Sequence, residues 1–156
     1  FSSIPATFRA LMLLVYGRST ASATSAVCQL TLNGNTTAGD YDSLTIYNSS
    51  ASAVAAVEAL GSVAYLSCGS VAAANSTANL HTIIQSLWPE YANTGGWKQG
   101  ITLNGGALTL STGNLIPQFI GQVFESTGAV SSLALTLSAG NWTTTTRATL
   151  LGLPAD

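Results

Sequence analysis

Apolar and small polar residues alternate most clearly near the C-terminal end of the chain, where Leu133, Leu135 and Leu137 occupy every second position. This period of two predicts a β-strand with one face, including Leu135, in a core. Residues 139–141 contain Gly and Asn, which tolerate positive φ and therefore favour a turn. The Thr-rich residues 143–151 predict a second strand, because β-branched side chains fit a pleated surface. We expect the two strands to pair as a terminal hairpin.

Apolar runs separated by turn residues predict strands along the rest of the chain. The nearly continuous apolar run at residues 8–16 is typical of a central strand buried on both faces. Further strands are predicted at residues 26–33, 44–47, 62–67, 80–88, 97–103 and 115–125. Turns are predicted at residues 33–35, 39–42 and 104–106, with residues 107–110 as a short partner strand for 97–103, and irregular structure at 48–59 and 69–79. About eight short strands without intervening long helices predict an all-β fold, an antiparallel β-sandwich of the jelly-roll type.

The alternation sorts the side chains of two of these strands into faces. For residues 26–33 the predicted inward set is Val27, Cys28, Leu30 and Leu32. For residues 80–88 one face carries Leu80, Thr82, Ile84 and Ser86, and the other carries His81, Ile83, Gln85 and Leu87.

The composition indicates a single domain whose surface is covered by other protein. At 156 residues the chain is long enough to bury a sizeable core. Only 6% of its residues are charged and 47% are apolar, whereas an ordinary soluble domain carries about 25% charged residues. A monomer with so few charges would tend to aggregate through its apolar surface. We therefore expect copies of the chain, or a larger particle, to cover much of its surface.

Two classes of partner are excluded by composition. No apolar run reaches the roughly 20 residues that a membrane-spanning helix needs, so we expect no membrane insertion. The net charge is −2, and the four basic residues are Arg9, Arg18, Lys98 and Arg147. They are too few to follow a phosphate backbone, which argues against nucleic-acid binding. The first residues lack the pattern of a signal peptide, and the abrupt start at Phe1 leads us to expect further sequence upstream.

The two cysteines, Cys28 and Cys68, lie in apolar, strand-like contexts. The favoured interpretation is a pair of buried thiols that act as small apolar side chains. A single disulfide is the alternative, although a chain of this length does not need one. The cysteine spacing does not match a metal site, and no cofactor or metal is predicted.

Candidate catalytic and cation-binding residues are sparse. His81 is the only histidine, and no Gly-x-Ser-x-Gly motif accompanies it, so the sequence predicts no catalytic residue and no enzyme. Asp40 and Asp42 flank Tyr41 in a predicted turn. We favour aspartates that bond to their own backbone in an Asx-turn. A weak calcium loop is the alternative, because oxygen-rich turns suit a hard cation.

Four aromatic residues are predicted on or near loops: Trp88, Tyr91, Trp97 and Trp142. Flat rings at the ends of strands can stack on sugars, which makes these residues candidates for contact with a glycan or a protein partner. Rings in such positions also cap cores, and we expect at least two of the four to do so.

Several short segments are spaced as in one known family of viral domains. They are residues 1–8 (FSSIPATF), 30–35 (LTLNGN) followed by 41–42 (YD), 91–94 (YANT) with 97–98 (WK), and 126–130 (STGAV) leading to Leu133 and to 151–153 (LGL). In these segments the chain resembles the jelly-roll domains of tailed-bacteriophage and related large-virus proteins, as found in tail fibres, head fibres and decoration proteins. The resemblance spans nearly the whole chain, 1–156. It implies a homotrimeric knob on the outer surface of the virion, in contact with other virion proteins or a host-surface glycan.

The predicted function is therefore that of a non-enzymatic phage virion protein, which decorates the particle or attaches it to the host. The alternative is a carbohydrate-binding module of a secreted protein. Such a module needs a solvated monomer with exposed rings, whereas a virion knob needs large apolar contacts between subunits. The low charge of 6% favours the knob.

The expected core and the expected contact surface use different residues. The core of the sandwich would contain Phe8, Leu11, Leu13, Val15, Leu44 and Ile46. The residues left for other subunits to cover would be Leu110, Leu115, Ile116, Phe119 and Val123. A sandwich has two inner faces, and its outer faces normally carry charge.

Overall fold

The computed structural model describes residues 1–50, 53–109 and 114–154. The strands are β1 (Ala10–Gly17), β2 (Ser25–Leu32), β3 (Tyr41–Ser50), β4 (Ala53–Leu60), β5 (Leu66–Ala72), β6 (Thr82–Pro89), β7 (Lys98–Thr109), β8 (Asn114–Phe124), β9 (Leu133–Leu137) and β10 (Arg147–Leu153). Within the described ranges there is no helix of the length and apolar character that crossing a membrane would require.

The strands form two antiparallel sheets. One sheet has seven strands in the order β10-β1-β6-β7-β8-β3-β4, and the other has three strands in the order β5-β2-β9. The small sheet packs against one face of the large sheet, so the predicted all-β sandwich is confirmed, with ten strands rather than about eight. The jelly-roll connectivity stays a prediction.

The core lies between the two sheets and is built by the inward faces of their strands. Its fully buried members include Leu13 on β1, Leu30 on β2, Leu66 on β5 and Phe124 on β8. The ring of Tyr41 stacks on Phe124 with 5.0 Å between centroids. Burying a side chain of this size stabilises the fold by about 1.5–3 kcal/mol.

A seam of side-chain amides joins the large sheet to the edge of the small one. Gln122 donates its Nε2 to the carbonyl of Ser67 at 2.5 Å, and Asn104 donates its Nδ2 to the carbonyl of Cys68 at 2.8 Å. Gln118 accepts the backbone N–H of Ser70 through Oε1 at 2.7 Å. These bonds take the place of a neighbouring strand beside β5, because they satisfy backbone groups that a sheet edge would leave open.

The prediction that residues 8–16 are buried on both faces is wrong. Leu11, Leu13 and Val15 of β1 point into the core, whereas Tyr16 on the other face is 46% exposed. The sandwich has only two layers, and no described segment packs on the outer face of the large sheet. The apolar residues of β1 therefore alternate between core and surface.

The predicted terminal hairpin is also wrong, although both of its strands exist. Strand β9 pairs with β2 in the small sheet, and β10 pairs with β1 in the large sheet. The turn forms as expected, with Gly140 at φ 70°, but the following residues lead the chain across to the other sheet. Trp142 packs against the core and bridges to Ser19, which anchors this crossing.

The alternation within β9 is confirmed. Leu133 is buried, and Leu135 and Leu137 are partly buried against the core. Ala134 and Thr136 between them are exposed. The sequence thus predicted which side chains of β9 face the core, but not the strand with which β9 pairs.

Four other expectations fail because tertiary pairing overrides local propensity. Strand β4 pairs with β3 in the region predicted to be irregular, since a partner strand outweighs the helix preference of Ala. Residues 104–106 do not turn but continue β7, opposite β8. The predicted strand 107–110 belongs to β7 as far as residue 109, and residue 110 lies outside the described ranges. Strand β5 begins at Leu66 and ends at Ala72, inside a predicted loop.

The division of two strands into faces was predicted largely correctly. On β2 the buried residues are Ala26, Cys28, Leu30 and Leu32, whereas Val27, predicted to point inward, lies on the opposite face. On β6 Thr82, Ile84 and Ser86 share one face, as predicted, and the structure shows that this is the buried face. The error at Val27 follows from assigning two consecutive residues to one face, which a pleated strand cannot do.

The two cysteines are free and fully buried on the neighbouring strands β2 and β5. A hydrogen bond with Cys68, together with burial, raises the pKa of the Cys28 thiol. We expect neither thiol to react with a thiol-specific reagent in the native protein, because attack needs an accessible thiolate. Labelling before and after denaturation checks this, and rapid labelling of the native protein would contradict it.

Candidate functional site

The face of the seven-stranded sheet that points away from the core is covered by apolar side chains. We call it the apolar outer face. Successive residues of a strand point to opposite faces, and the strand register places this set together: Met12, Leu14, Tyr16, Ile83, Leu87, Ile101, Leu103, Phe119, Val123, Leu44, Ile46, Val54, Leu60, Leu151 and Leu153. All seven strands of the sheet contribute to it.

The centre of the apolar outer face is strongly exposed. Phe119 lies between Leu103 of β7 and Ile46 of β3, and their exposed fractions are 47%, 50% and 42%. Leu44 is also exposed, so the prediction that Leu44 and Ile46 fill the core is wrong. On β3 the buried residues are Tyr41 and Ser43, and the pleat therefore sends the even-numbered side chains outward.

The residues predicted to need cover by other subunits are found in different places. Phe119 and Val123 belong to the apolar outer face. Ile116 is half-buried on the inner face of β8. Leu110 lies outside the described residues, and the side chain of Leu115 is likewise not described.

The sheet face that carries these side chains is large. Seven strands about 4.8 Å apart, each about seven residues long at about 3.4 Å per residue, make a face of roughly 800 Å². A standard protein interface buries about 800 Å² on each partner. This face therefore has the dimensions of an interface.

Charged side chains on this face lie only towards its two edges in the described part of the chain. Arg147 is on β10 at one edge, whereas Asp42 and Glu58 are on β3 and β4 at the other. The central strands β1, β6, β7 and β8 contribute the uncharged polar residues Gln85 and Gln99 at most. An apolar centre with a polar rim is the usual anatomy of a protein interface.

A hollow lies over Gly121, which we call the Gly121 hollow. It has a volume of about 580 Å³. Apolar walls are supplied by Leu44, Leu60, Leu87, Pro89, Ile101 and Val123, and polar groups by Asp42 and Gln99. A second hollow of about 470 Å³ lies over Gly105 and Pro117. Phe119 and Leu103 line this second hollow, so the face is not flat but has ridges and depressions.

The four aromatic candidates are placed very differently. Trp88 is 3% exposed and donates its Nε1 to Ser86 Oγ at 3.0 Å. Tyr91 is fully buried and donates its hydroxyl to the carbonyl of Pro5. Trp142 is partly buried and donates its Nε1 to the carbonyl of Leu135 at 3.4 Å.

Trp97 is the one of the four with a largely exposed ring, at 59%. It directly precedes Lys98, whose side chain is buried on the inner side. The alternation of β7 therefore places Trp97 in line with Gln99 and Ile101, at one end of the apolar outer face. Trp97 thus extends this face rather than forming a site with the other three rings.

The ring of His81 contacts an aromatic ring and neutral polar groups. Its ring stacks on Tyr16 with 4.5 Å between centroids. Its Nδ1 contacts the carbonyl of Asn79 at 3.1 Å, and its Nε2 contacts the hydroxyl of Thr145 at 2.8 Å. These partners orient the ring without polarising it as a carboxylate would.

The aspartates of the predicted turn bond to other segments. Asp40 Oδ2 accepts the side-chain amide of Asn35 at 2.6 Å, and Asp42 Oδ1 accepts the backbone N–H of Gly61 at 2.7 Å. The Asx-turn exists, but Asn35 makes it, by accepting the backbone N–H of Thr37 at 2.7 Å. The prediction that the aspartates themselves do so is wrong. Across the described ranges, no group of three or more His, Cys, Asp or Glu residues could hold a metal ion.

Glu125 lies close to both aspartates. Burial, a hydrogen bond with Asp42, and the charges of Asp42 and Asp40 raise the pKa of its carboxyl above its ordinary value. A raised folded-state pKa means that the folded protein binds this proton more tightly than the unfolded chain does. The protonated carboxyl of Glu125 therefore favours the folded state, and its ionised form at a higher pH disfavours it.

We therefore expect Glu125→Gln to raise the melting temperature at pH 7, and expect the gain to disappear in acid. Melting curves across pH check this. Glu90→Gln, which removes an exposed glutamate elsewhere, serves as the control and should leave the melting temperature unchanged. A lower melting temperature for Glu125→Gln at pH 7 would contradict the expected repulsion.

Comparisons of the chain with protein-family models, with curated proteins and with solved structures give no match. The fold and the site together define a two-sheet β-sandwich protein with a broad apolar sheet face. Sequence analysis missed the members of this face on β7 and the Gly121 hollow. Continuing the period of two through residues 97–103 and 115–125 would have found Ile101 and Leu103, but a hollow depends on which strands become neighbours.

Proposed function

We propose that this chain is a non-enzymatic structural protein of a bacteriophage particle, where it forms a homotrimeric knob for decoration or host attachment. The observation that supports this proposal most directly is the apolar outer face, at roughly 800 Å². We expect a face of this kind in a chain that binds copies of itself. The phage setting and the number three rest on the resemblance to jelly-roll domains of virion proteins.

The size and charges of the face favour a second copy of this chain as its occupant. A standard interface buries about 800 Å² on each partner, and the sheet that carries the apolar outer face has roughly this total area. Arg147 at one edge and Asp42 and Glu58 at the other are of opposite sign. Copies whose apolar outer faces overlap head to tail would bring Arg147 of one copy near these carboxylates of the next, and such an arrangement closes into a ring when the rotation allows.

The proposal is tested by measuring the mass of the wild-type chain and of a charge variant in solution. Leu103→Asp places a carboxylate at the centre of the face, where an interface would bury it unpaired at a cost of about 3–5 kcal/mol. We expect a wild-type trimer at micromolar concentration, and at least about 100-fold weaker association for Leu103→Asp. Size-exclusion chromatography with light scattering gives both results.

Thr136→Asp is the matched control, because Thr136 is exposed on the outer side of the small sheet. This variant should assemble like the wild type. A wild-type chain that stays monomeric at micromolar concentration would overturn the proposed self-association.

The exposed ring of Trp97 gives the carbohydrate-binding alternative its one structural support. A sugar ring could stack on this indole in a monomer. Affinity electrophoresis in gels that contain polysaccharide would test the alternative. Retardation that Trp97→Ala abolishes, in a chain that scatters light as a monomer, would establish it in place of the structural role.

A further inference from the structure

We propose that Trp97 of one copy inserts its indole into the Gly121 hollow of the next copy. This inference rests on the proposed self-association and identifies the contact that would hold the subunits together. Three observations support it: a glycine that the fold does not require, the chemistry of the hollow, and an indole without a partner.

The first observation is that nothing within the chain explains a glycine at position 121. A Cβ atom added there would meet no atom within 4 Å, and its φ lies outside the left-handed region that favours glycine. By contrast, a Cβ at Gly100 would come within 2.7 Å of the Trp88 ring, so the core itself requires that glycine. Glycine within a strand weakens the strand and often marks the close approach of another group. The space over Gly121 is open within the chain, so a group that approaches it would come from outside the chain.

The second observation is the chemistry of the hollow. Leu44, Leu87 and Ile101 are among its apolar walls, and Asp42 contributes a carboxylate. A flat apolar ring with one hydrogen-bond donor matches this combination, because a buried indole normally finds an acceptor for its N–H. The side chain of Trp has both properties.

The third observation is the state of Trp97. Its ring is 59% exposed, and among the residues that the structure describes its N–H meets no acceptor. The indoles of Trp88 and Trp142 both have one. Trp97 is not among the residues that line the Gly121 hollow of its own chain, so that hollow stays open to a neighbour. Trp is also one of the residue types enriched at the energetic centres of interfaces.

The indole and the hollow lie side by side on the apolar outer face, so each copy offers both halves of the contact. Trp97 stands before β7, whereas the hollow lies over β7, β8 and β3. A contact between unlike patches repeats from copy to copy and closes into a ring when the rotation allows. A homotrimer is the ring that closes after three copies.

Two variants with complementary defects test the inference. Trp97→Ala keeps the hollow and lacks the indole, whereas Gly121→Val keeps the indole and fills the hollow. We expect each variant alone to fold as the wild type by circular dichroism and to associate at least about 30-fold more weakly. Gly128→Ala, in an exposed loop where a Cβ meets only Ser126 Oγ at 3.6 Å, is the control and should assemble normally.

Mixing the two variants provides the decisive measurement. The indole of Gly121→Val can enter the hollow of Trp97→Ala, but the reverse contact cannot form. Light scattering of the mixture should therefore show a complex of one copy of each. If Gly121→Val fails to fold, Gly121→Ala replaces it, with a smaller loss of association expected.

The possible failures can be told apart. A monomeric wild type would remove the proposed function and this inference with it. A wild-type trimer that Leu103→Asp dissociates, but that Trp97→Ala leaves intact, would overturn this inference alone. Two variants that are each monomeric and do not combine on mixing would also overturn it, because indole and hollow would then act separately.

Discussion

Phe124→Ala should lower the free energy of unfolding by about 3–5 kcal/mol, the usual cost of removing a buried aromatic ring. Phe124 is 1% exposed and stacks on Tyr41. The contact lies at the end of β8 and the start of β3. Tyr41 in turn donates its hydroxyl to the carbonyl of Asn35 at 2.9 Å, which holds the turn between β2 and β3. The substitution therefore leaves a cavity and also loosens the link between the two sheets.

Phe119→Ala is the matched control, because Phe119 lies on the same strand but on the apolar outer face. Both variants are best measured by urea denaturation at submicromolar protein concentration, where association contributes least. We expect Phe119→Ala to cost less than about 1 kcal/mol there, as surface substitutions usually do. Equal losses for the two variants would mean that the register of β8 is wrong.

Leu135→Asp should destabilise the protein by several kcal/mol, because it places a charge without a partner against the core. Leu135 is only partly buried, so the aspartate keeps some contact with water and the expected loss is about 2–4 kcal/mol. The carbonyl of Leu135 also accepts the indole N–H of Trp142. A shift of β9 would thus disturb the crossing from the small sheet to the large one.

Ala134→Asp is the control for this prediction, since Ala134 is the exposed neighbour of Leu135 on β9. Thermal melting of the two variants compares adjacent positions that differ only in the face to which they point. A Leu135→Asp variant that melts with the wild type would show that this strand faces the other way.

The period of two predicted the inward leucines of β9 and grouped the residues that share a face on β6, because alternation is a property of the strand alone. Strand partners were not predictable in this way. The turn at Gly140 forms in either topology, and whether the chain then folds back or crosses to another sheet depends on the packing of Trp142. In β7 the Gly-rich residues 104–106 have the composition of a turn, but Asn104 is held by the carbonyl of Cys68 and the strand continues.

The candidate site was predictable in kind but not in place. A charge content of 6% already indicated that some surface must be covered, and Trp97 was among the candidate contact residues. Which surface needed cover depends on the order of seven strands, most of them not consecutive in the chain. Leu44 and Ile46 show the consequence, because one residue of register decides between core and surface.

The amide seam beside β5 has a consequence for how the protein opens. The N–H groups of Ser70 and Ala72 point away from β2 and are held by Gln118 Oε1 and Thr82 Oγ1. At an ordinary sheet edge such hydrogens exchange rapidly with solvent deuterium. Here they can exchange only when the two sheets separate, because their acceptors belong to β8 and β6 of the other sheet. The small sheet and the large sheet should therefore behave as a single cooperative unit, with the slowest-exchanging amides extending to the very edge of β5.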